Sequence, residues 1–278
     1  MTTNFRSGNQ VQTGTYPVTS SIAQFYGATS LRPEKSNNYG AGIVLKPLDN
    51  MSITIDGYIV DVRDRIGISQ TFTVTQANLT ALPALAIVGV GGDVNYFTNG
   101  FNTRTKGIDA VANYRTRLLD GGLNLTLAYS YNESEVTFRR VGANGQPFIS
   151  DAQVFNIANL PPRHRINASG NWQLGDFQAN ARVNYFSSWA NQLEYPGQRF
   201  SGKATADLDL SYTLAEHFTL TVGANNIFDT YPDRIAPSTT NPVYALTGGL
   251  LDGQVYPRSG GPFGINGGFY YVRLRVTY

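Results

Sequence analysis

The chain of 278 residues has no cysteine and only two histidines. Disulfides, thiol catalysis and cysteine-based metal sites are thereby excluded. Charge is sparse as well: charged residues make up 14% and the formal net charge is +2. No basic cluster with interleaved aromatics occurs, so a nucleic-acid partner is not expected. Long apolar runs are also missing. The longest candidate, residues 81–90, is shorter than the roughly 18 apolar residues of a membrane helix and contains Pro83. A mean hydropathy of −0.22 does not argue against a membrane, because alternating lipid-facing and lumen-facing residues average out. The opening Met1-Thr-Thr-Asn-Phe5 lacks a basic start followed by an apolar core. An exported chain of this kind is expected to be mature, truncated or part of a longer gene product.

Glycine (29), tyrosine (17) and phenylalanine (15) are plentiful, and they fall in an alternating pattern. At the C-terminus Tyr270, Val272, Leu274, Val276 and Tyr278 share one face, while Arg273, Arg275 and Thr277 share the other. A strand repeats side-chain direction every two residues, so one face here is greasy and the other charged. Ile53–Ile59, Ile108–Tyr114, Leu123–Tyr131, Ile166–Leu174, Phe177–Trp189, Ala206–Leu214 and Phe218–Ala224 alternate in the same way. A weaker segment lies at Tyr39–Lys46, and the total is about nine strands. Aromatic rings at both ends of a greasy face of about 9–11 residues fit a transmembrane β-strand.

The connections alternate too. Short turns fall near 47–50, 119–122, 175–176 and 215–217, and long loops near 69–103, 139–162, 190–202 and 229–267. Outer-membrane barrels have tight periplasmic turns and long external loops, whereas a soluble β-sandwich has no reason to gather its long loops at one end. The expected fold class is therefore all-β, an antiparallel transmembrane β-barrel. Residues 1–37 are expected to be an extracellular loop or the remnant of a preceding barrel segment, and residues 38–278 the barrel strands. Nine is an odd number, and an odd sheet cannot close with regular antiparallel pairing. Open edges in hydrocarbon leave backbone groups unpaired at several kcal/mol each. Either residues 1–37 hide a further strand or the N-terminal part of a larger barrel is missing; the second is favoured.

Catalytic patterns are thin. His164 and His217 fall at opposite ends of the strand set, too far apart for a shared metal or triad. Gly89-Val-Gly-Gly92 lacks the spacing and the Lys-Ser/Thr tail of a phosphate loop. Asp207 and Asp209 alternate on one strand face, as in a lumen wall rather than a glycosidase cleft. No enzyme, cofactor or metal site is expected.

Several segments resemble the C-terminal part of a TonB-dependent outer-membrane receptor. Leu31-Arg-Pro-Glu-Lys-Ser36 followed by Tyr39-Gly-Ala-Gly42 resembles the family's approach to a mid-barrel strand. Asn102-Thr-Arg-Thr-Lys-Gly-Ile-Asp109 resembles the passage from an outer loop into the next strand. Leu160-Pro-Pro-Arg-His-Arg165 is similar to the stretch after a long outer loop. Gly223-Ala-Asn-Asn-Ile-Phe-Asp229, followed by Tyr231-Pro-Asp-Arg234, resembles the signature before the last strand, with Ile227 in place of leucine. The terminal aromatic completes the series.

The resemblance covers about residues 31–278 and implies the last strands of a 22-stranded barrel whose plug lies outside this chain. It implies energy-coupled uptake of a scarce ligand across the cell outer membrane, above all a ferric siderophore, otherwise another small-molecule metal chelate or nutrient. The implied partners are the plug domain, the TonB complex, outer-membrane lipid and the barrel-assembly machinery, with Tyr270, Val272, Leu274, Val276 and Tyr278 as the C-terminal assembly signal. Arg182, Asp207, Asp209, Arg273 and Arg275 are expected to face the lumen and contact the plug. Tyr96, Phe97, Phe101 and Arg104 are candidates to stack on and pair with an anionic chelate, and Tyr231, Tyr244 and Tyr256 are candidates in the last long loop. Two alternatives remain open: a small self-contained porin, with Ser20–Tyr26 supplying a tenth strand, and a soluble β-rich binding module.

Overall fold

The computed structural model describes residues 2–6, 9–142, 145–236, 255–257 and 261–277, with backbone alone for residues up to 11. In chain order the elements are β1 (Thr2–Arg6), β2 (Asn9–Tyr16), α1 (Ser21–Phe25), β3 (Lys35–Leu48), β4 (Met51–Ile68), β5 (Phe72–Thr73) and α2 (Gln76–Ala81). After a 3₁₀ turn at Pro83–Ile87 come β6 (Asp93–Leu118), β7 (Gly121–Arg139), α3 (Asp151–Asn159), β8 (His164–Leu174) and β9 (Phe177–Phe186). β10 (Lys203–Leu214), β11 (Phe218–Asn225) and β12 (Phe269–Val276) follow. The sheet β3-β4-β6-β7-β8-β9-β10-β11-β12 is antiparallel throughout. These nine strands are the nine that the alternation marks out.

Register makes the two faces continuous. One rung crosses all nine strands as Leu48, Met51, Tyr114, Leu125, Gly170, Ala181, Leu208, Ala224 and Tyr270. The adjacent rung of the other face reads Ser52, Asn113, Thr126, Ser169, Arg182 and Asp207. Because the period is two, a one-residue slip would exchange the faces wholesale, so this pairing is strongly specified. The apolar face is bare even mid-sheet: Leu127 is 51% exposed and Val222 53%. Soluble monomers rarely expose a contiguous apolar surface of this extent. Tyr39, Tyr129, Tyr131 and Tyr185 ring it at one end, and Tyr114, Trp172, Phe177, Tyr212 and Phe218 at the other. Along β9, Phe177 to Tyr185 spans roughly 26 Å at about 3.3 Å per residue, close to the roughly 25 Å apolar band of outer-membrane barrels. Beyond the first ring the outward face turns ionic, with Lys106 and Arg163 both 3.1 Å from Glu133 and Arg104 2.7 Å from Asp61.

Tight turns close one end. Leu119 and Asp120 have φ of 48° and 64°, the left-handed pair that matches the twist of a two-residue hairpin. The strand ends joined by the long connections, 68 to 93, 139 to 164, 186 to 203 and 225 to 269, all lie at the other end. There the described loop residues build a cap. Ile22, Val74, Leu85, Val88 and Val94 form one buried cluster, and Ala23, Ala28, Tyr96 and Phe148 its neighbour. β1 and β2 form a hairpin that pairs in parallel with the first residues of β6, not with β3. They add to the cap and leave the barrel sheet at nine strands.

Two features differ from the sequence reading. β6 begins at Asp93, ten residues inside the loop expected at 69–103. Apart from the exposed Phe97, its outer part is largely covered on both faces, with Tyr96 and Val94 fully buried and Thr98, Asn99, Phe101 and Thr103 nearly so. A strand buried on both faces loses the alternation that marks half-buried ones. Ser20–Tyr26, the one support for a tenth strand, contains helix α1, capped by the Ser20 hydroxyl on the Ala23 N–H.

The sheet does not close on itself. β3 and β12 both run from the long-loop end to the short-turn end, so direct pairing between them would be parallel. Antiparallel closure requires an odd number of further strands between these edges. In hydrocarbon each edge would otherwise leave unpaired N–H and C=O groups at several kcal/mol apiece.

Candidate functional site: a polar wall and a cleft at its outer end

The polar face is held by hydrogen bonds from strand to strand. Asn167 Nδ2 donates to Asn184 Oδ1 at 2.6 Å, Asn171 donates likewise to Asn180, and the hydroxyls of Ser211 and Thr221 meet at 2.9 Å. Arg182, Asp207 and Asp209, read from sequence as lumen-facing, line a hollow of about 290 Å³ on this wall with Asn124, Asn171 and Asn180. Asp207 Oδ1 accepts the Asn226 N–H at 2.8 Å, and Asp209 accepts the Tyr271 hydroxyl. Arg273 and Arg275 stand opposite Thr221 and Thr219 on the same face. Among the described residues no carboxylate forms an ion pair with either.

Glycine permits two wall contacts that alternation does not reveal. Asp209, Gly223 and Tyr271 occupy one rung, and a Cβ at Gly223 would collide with both partners. Tyr58, Gly107 and Asn132 repeat the device, with Asn132 Nδ2 donating to the Tyr58 hydroxyl at 2.9 Å across Gly107. In each case a tyrosine lies over a backbone without a side chain to reach the strand beyond.

The loop candidates are dispersed. Tyr96 lies within the cap, its hydroxyl donating to the Tyr26 carbonyl at 2.8 Å, while Phe97 is exposed. Arg104 is on the outward face in a two-pronged contact with Asp61 at 2.7 and 3.1 Å. Phe101 is buried beneath Arg65, whose guanidinium carbon is 5.9 Å from the ring centre. Tyr231 and Tyr256 are brought together, their rings stacked 5.2 Å apart at 14°. Tyr244 and Tyr278 lie outside the described residues. His164 opens β8 and His217 sits in a turn at the opposite end of the sheet.

Alternation misses the cleft at the outer end of the wall. A bulge interrupts β4 between Val62 and Arg65, where Asp64 takes φ 54°. The Asp64 N–H donates to Asn102 Oδ1 at 2.9 Å, Asp64 Oδ1 accepts from Arg32 at 2.8 Å, and its carbonyl accepts from Asn99. The extra residue turns Arg65 from the outward face, where Asp61 and Arg63 point, to the polar face. Its Nη1 donates to the Thr103 hydroxyl at 3.0 Å. A β-bulge re-aims a side chain in this way. Arg65 then lines a cleft of about 470 Å³, roofed by α3 and walled by Phe101, Ile149, Ile157, Leu160 and Leu193. Ser150 starts α3 with a reciprocal cap: its hydroxyl accepts the Gln153 N–H at 3.2 Å and Gln153 Oε1 accepts its N–H at 2.7 Å.

The last long loop is latched beside this cleft. Ile235 joins the buried cluster of Trp189, Tyr195 and Phe200. Asp233 accepts from Lys203 Nζ and the Ser201 hydroxyl, both at 2.8 Å, and from the Ser201 N–H at 2.5 Å. Burial acts to raise the Asp233 carboxyl, but these donors outweigh it and hold the group below the usual carboxylate range.

The profile described as TonB dependent receptor-like, beta-barrel, matches residues 2–227. No curated protein matches the chain. Among solved structures, the ferric enterobactin receptor PfeA of Pseudomonas aeruginosa, in a point-mutant form, shares 16% identity at a TM-score of 0.55 over 89% of this chain and 32% of its own. The copper transporter OprC gives 15% and 0.53 over 90% and 32%, and the outer membrane transporter YddB of Escherichia coli 11% and 0.52 over 76% and 31%. The chain thus spans about a third of the length of these structures, and at such identities they show the fold alone. Greasy outer rungs, a hydrogen-bonded inner wall, an unclosed sheet and the profile match lead to one assignment: the chain belongs to the TonB-dependent receptor β-barrel family.

Proposed function

We propose that this chain is the C-terminal wall of a TonB-dependent receptor that imports a metal-bearing small molecule, above all a ferric siderophore, across the outer membrane. The observation that carries the reading is the nine-strand sheet with one bare apolar face and one hydrogen-bonded polar face. The apolar face fits acyl chains and the polar face a water-lined interior. In a complete receptor the remaining strands, delivered by the barrel-assembly machinery, pair with the edges of β3 and β12. The plug packs against Arg182, Asp207, Asp209, Arg273 and Arg275, and TonB acts on the plug. Tyr270, Val272, Leu274 and Val276, with Tyr278, supply the terminal assembly signal. Ligand capture belongs to the long loops, where Tyr231 and Tyr256 offer a stacked pair, with Phe97 and Tyr244 as further candidates. Of the others, Tyr96 is buried in the cap, Phe101 lies beneath Arg65 and Arg104 is held outward by Asp61, so they shape the loop end from behind.

PfeA by its description takes ferric enterobactin, and OprC copper, so uptake of labelled iron chelate and of labelled copper are the two arms of the test. Cells expressing the receptor with its upstream sequence are expected to accumulate ferric chelate in a TonB-dependent manner, and Arg273→Gln with Arg275→Gln is expected to change that rate. TonB-independent leakage of ions through the purified 278-residue chain in a planar bilayer would instead favour a self-contained pore. Folding without detergent would favour a soluble module.

A further inference from the structure

The geometry points to a second ligand-recognition element: the cleft beneath α3 binds a small molecule with an aromatic or apolar body and a single carboxylate, the carboxylate resting on Arg65. The lining decides this. Most of it is apolar, from Phe101, Ile157, Leu160 and Leu193, and the volume of about 470 Å³ lies within the usual range of small-molecule sites.

Its other polar side chains are already committed. Ser134 shares its hydrogen bond with Thr105 at 2.9 Å. Gln153 uses its oxygen on the Ser150 N–H and its nitrogen on the Ile68 carbonyl, at 2.7 and 2.9 Å. Asn156 donates to Asn191 and accepts from the Gln192 N–H, at 2.8 and 2.7 Å. Arg65 is different. It donates to Thr103 from one nitrogen, and among the described residues no carboxylate pairs with it. A guanidinium fork with spare donors beside an apolar wall favours one planar anion. A sugar would find too few partners for its hydroxyls, and a polyanion too little positive charge.

The arrangement is a built one. Arg32, Asn99 and Asn102 all hold the Asp64 backbone or carboxylate in the bulge that turns Arg65 inward. Gly67 lets the Phe101 ring lie close against β4, where a Cβ would come within 2.9 Å of it. Strained backbone persists when its surroundings over-determine it, and such positions cluster at ligand clamps.

This inference rests on the uptake reading for its purpose, but binding can be measured separately. The receptor carrying this chain, in detergent, is titrated with 2-naphthoate and with the neutral 2-naphthamide by saturation-transfer NMR, with protein-free micelles as reference. Naphthoate is expected to bind saturably and about tenfold more tightly than the amide, the scale of one hydrogen-bonded charge. Arg65→Met should abolish that preference and leave amide binding unchanged. Ile157→Trp, which fills the cleft from the helix side, should weaken both ligands at least tenfold. Equal affinity of the two ligands for the unaltered receptor, or undiminished binding in a correctly heat-modifiable Ile157→Trp variant, would overturn the assignment. Loss of binding in Ile157→Trp with TonB-dependent metal uptake intact would separate the cleft from the transport reading and leave the cleft assignment standing. Absence of TonB-dependent uptake alongside selective naphthoate binding would sink the transport reading alone.

Discussion

Tyr271 of β12 lies across Gly223 of β11 and donates its hydroxyl to Asp209 of β10. The contact fastens the last strand to its second neighbour, beyond the ladder it shares with the first. A methyl group at Gly223 would occupy the space of both the ring and the carboxylate. Gly223→Ala is therefore expected to destabilise the assembled barrel by about 1–3 kcal/mol, the usual cost of overpacking. Tyr271→Phe, which removes the hydroxyl and keeps the ring, should cost about 1 kcal/mol. The midpoint of heat-modifiable gel migration reads both. A Gly223→Ala midpoint no lower than that of Tyr271→Phe would show that the bridge is not confined by the glycine.

The two faces should tolerate charge very differently. Val222 lies exposed midway along β11 on the apolar face and Asn124 lines the hollow on the polar wall. Val222→Lys is expected to cost about 2–4 kcal/mol in a bilayer, the midplane value for a lipid-facing lysine. Asn124→Lys should fall within about 0.5 kcal/mol of the parent. Equilibrium unfolding in lipid vesicles compares them, and equal losses would remove the distinction between faces.

The latch at Asp233 predicts a pH dependence. Its carboxyl is held below the ordinary range by Lys203 and Ser201, so the folded form binds its proton more weakly than the unfolded chain. The stabilisation is present above the unfolded value of about 3.9 and is lost as pH falls through the lower folded value. Ile235 packs with Trp189, so release of the loop should red-shift Trp189 emission as pH falls below about 4, read in a Trp172→Phe background. Asp233→Asn should show the shifted emission already at neutral pH, with no acid transition. An acid transition of the same midpoint in Asp233→Asn would assign the change to another group.

Helix α3 depends on its cap. Ser150→Ala removes the hydroxyl that accepts the Gln153 N–H, at a typical cost of about 1 kcal/mol. The loss should appear as faster amide hydrogen exchange in residues 151–159, while strands β7 and β8 keep their protection. Unchanged exchange in the helix would show that packing on the cleft, not the cap, holds it.

The nine barrel strands are legible in the sequence because, along the membrane-height part of each, one face stays bare and apolar while the other carries polar side chains, so period-two alternation survives there. The turn and loop ends follow from the same pattern. The outer half of β6 is not legible, since Val94, Tyr96, Thr98 and Thr103 are covered from both sides. The hairpin of β1 and β2 pairs with that hidden half. Helix α3 carried a usable signal, Ser150 followed three residues later by Gln153, inside a stretch read as loop. The cleft is harder. Strict alternation places Arg65 with Asp61 and Arg63 on the outside, and the inward turn rests on side chains from residues 32, 99 and 102 that meet Asp64 in space alone.

This chain contributes no cysteine of its own, so single thiols engineered at Thr219, Leu220, Thr221 and Val222 of β11 can carry spin labels in the assembled receptor in lipid, with the unsubstituted receptor as the labelling control. Labels at Leu220 and Val222 should collide readily with oxygen dissolved in the bilayer and be shielded from a water-soluble nickel chelate, with the reverse at Thr219 and Thr221. Oxygen and nickel accessibilities that do not alternate along β11, or that alternate in the opposite phase, would contradict the lipid-facing wall.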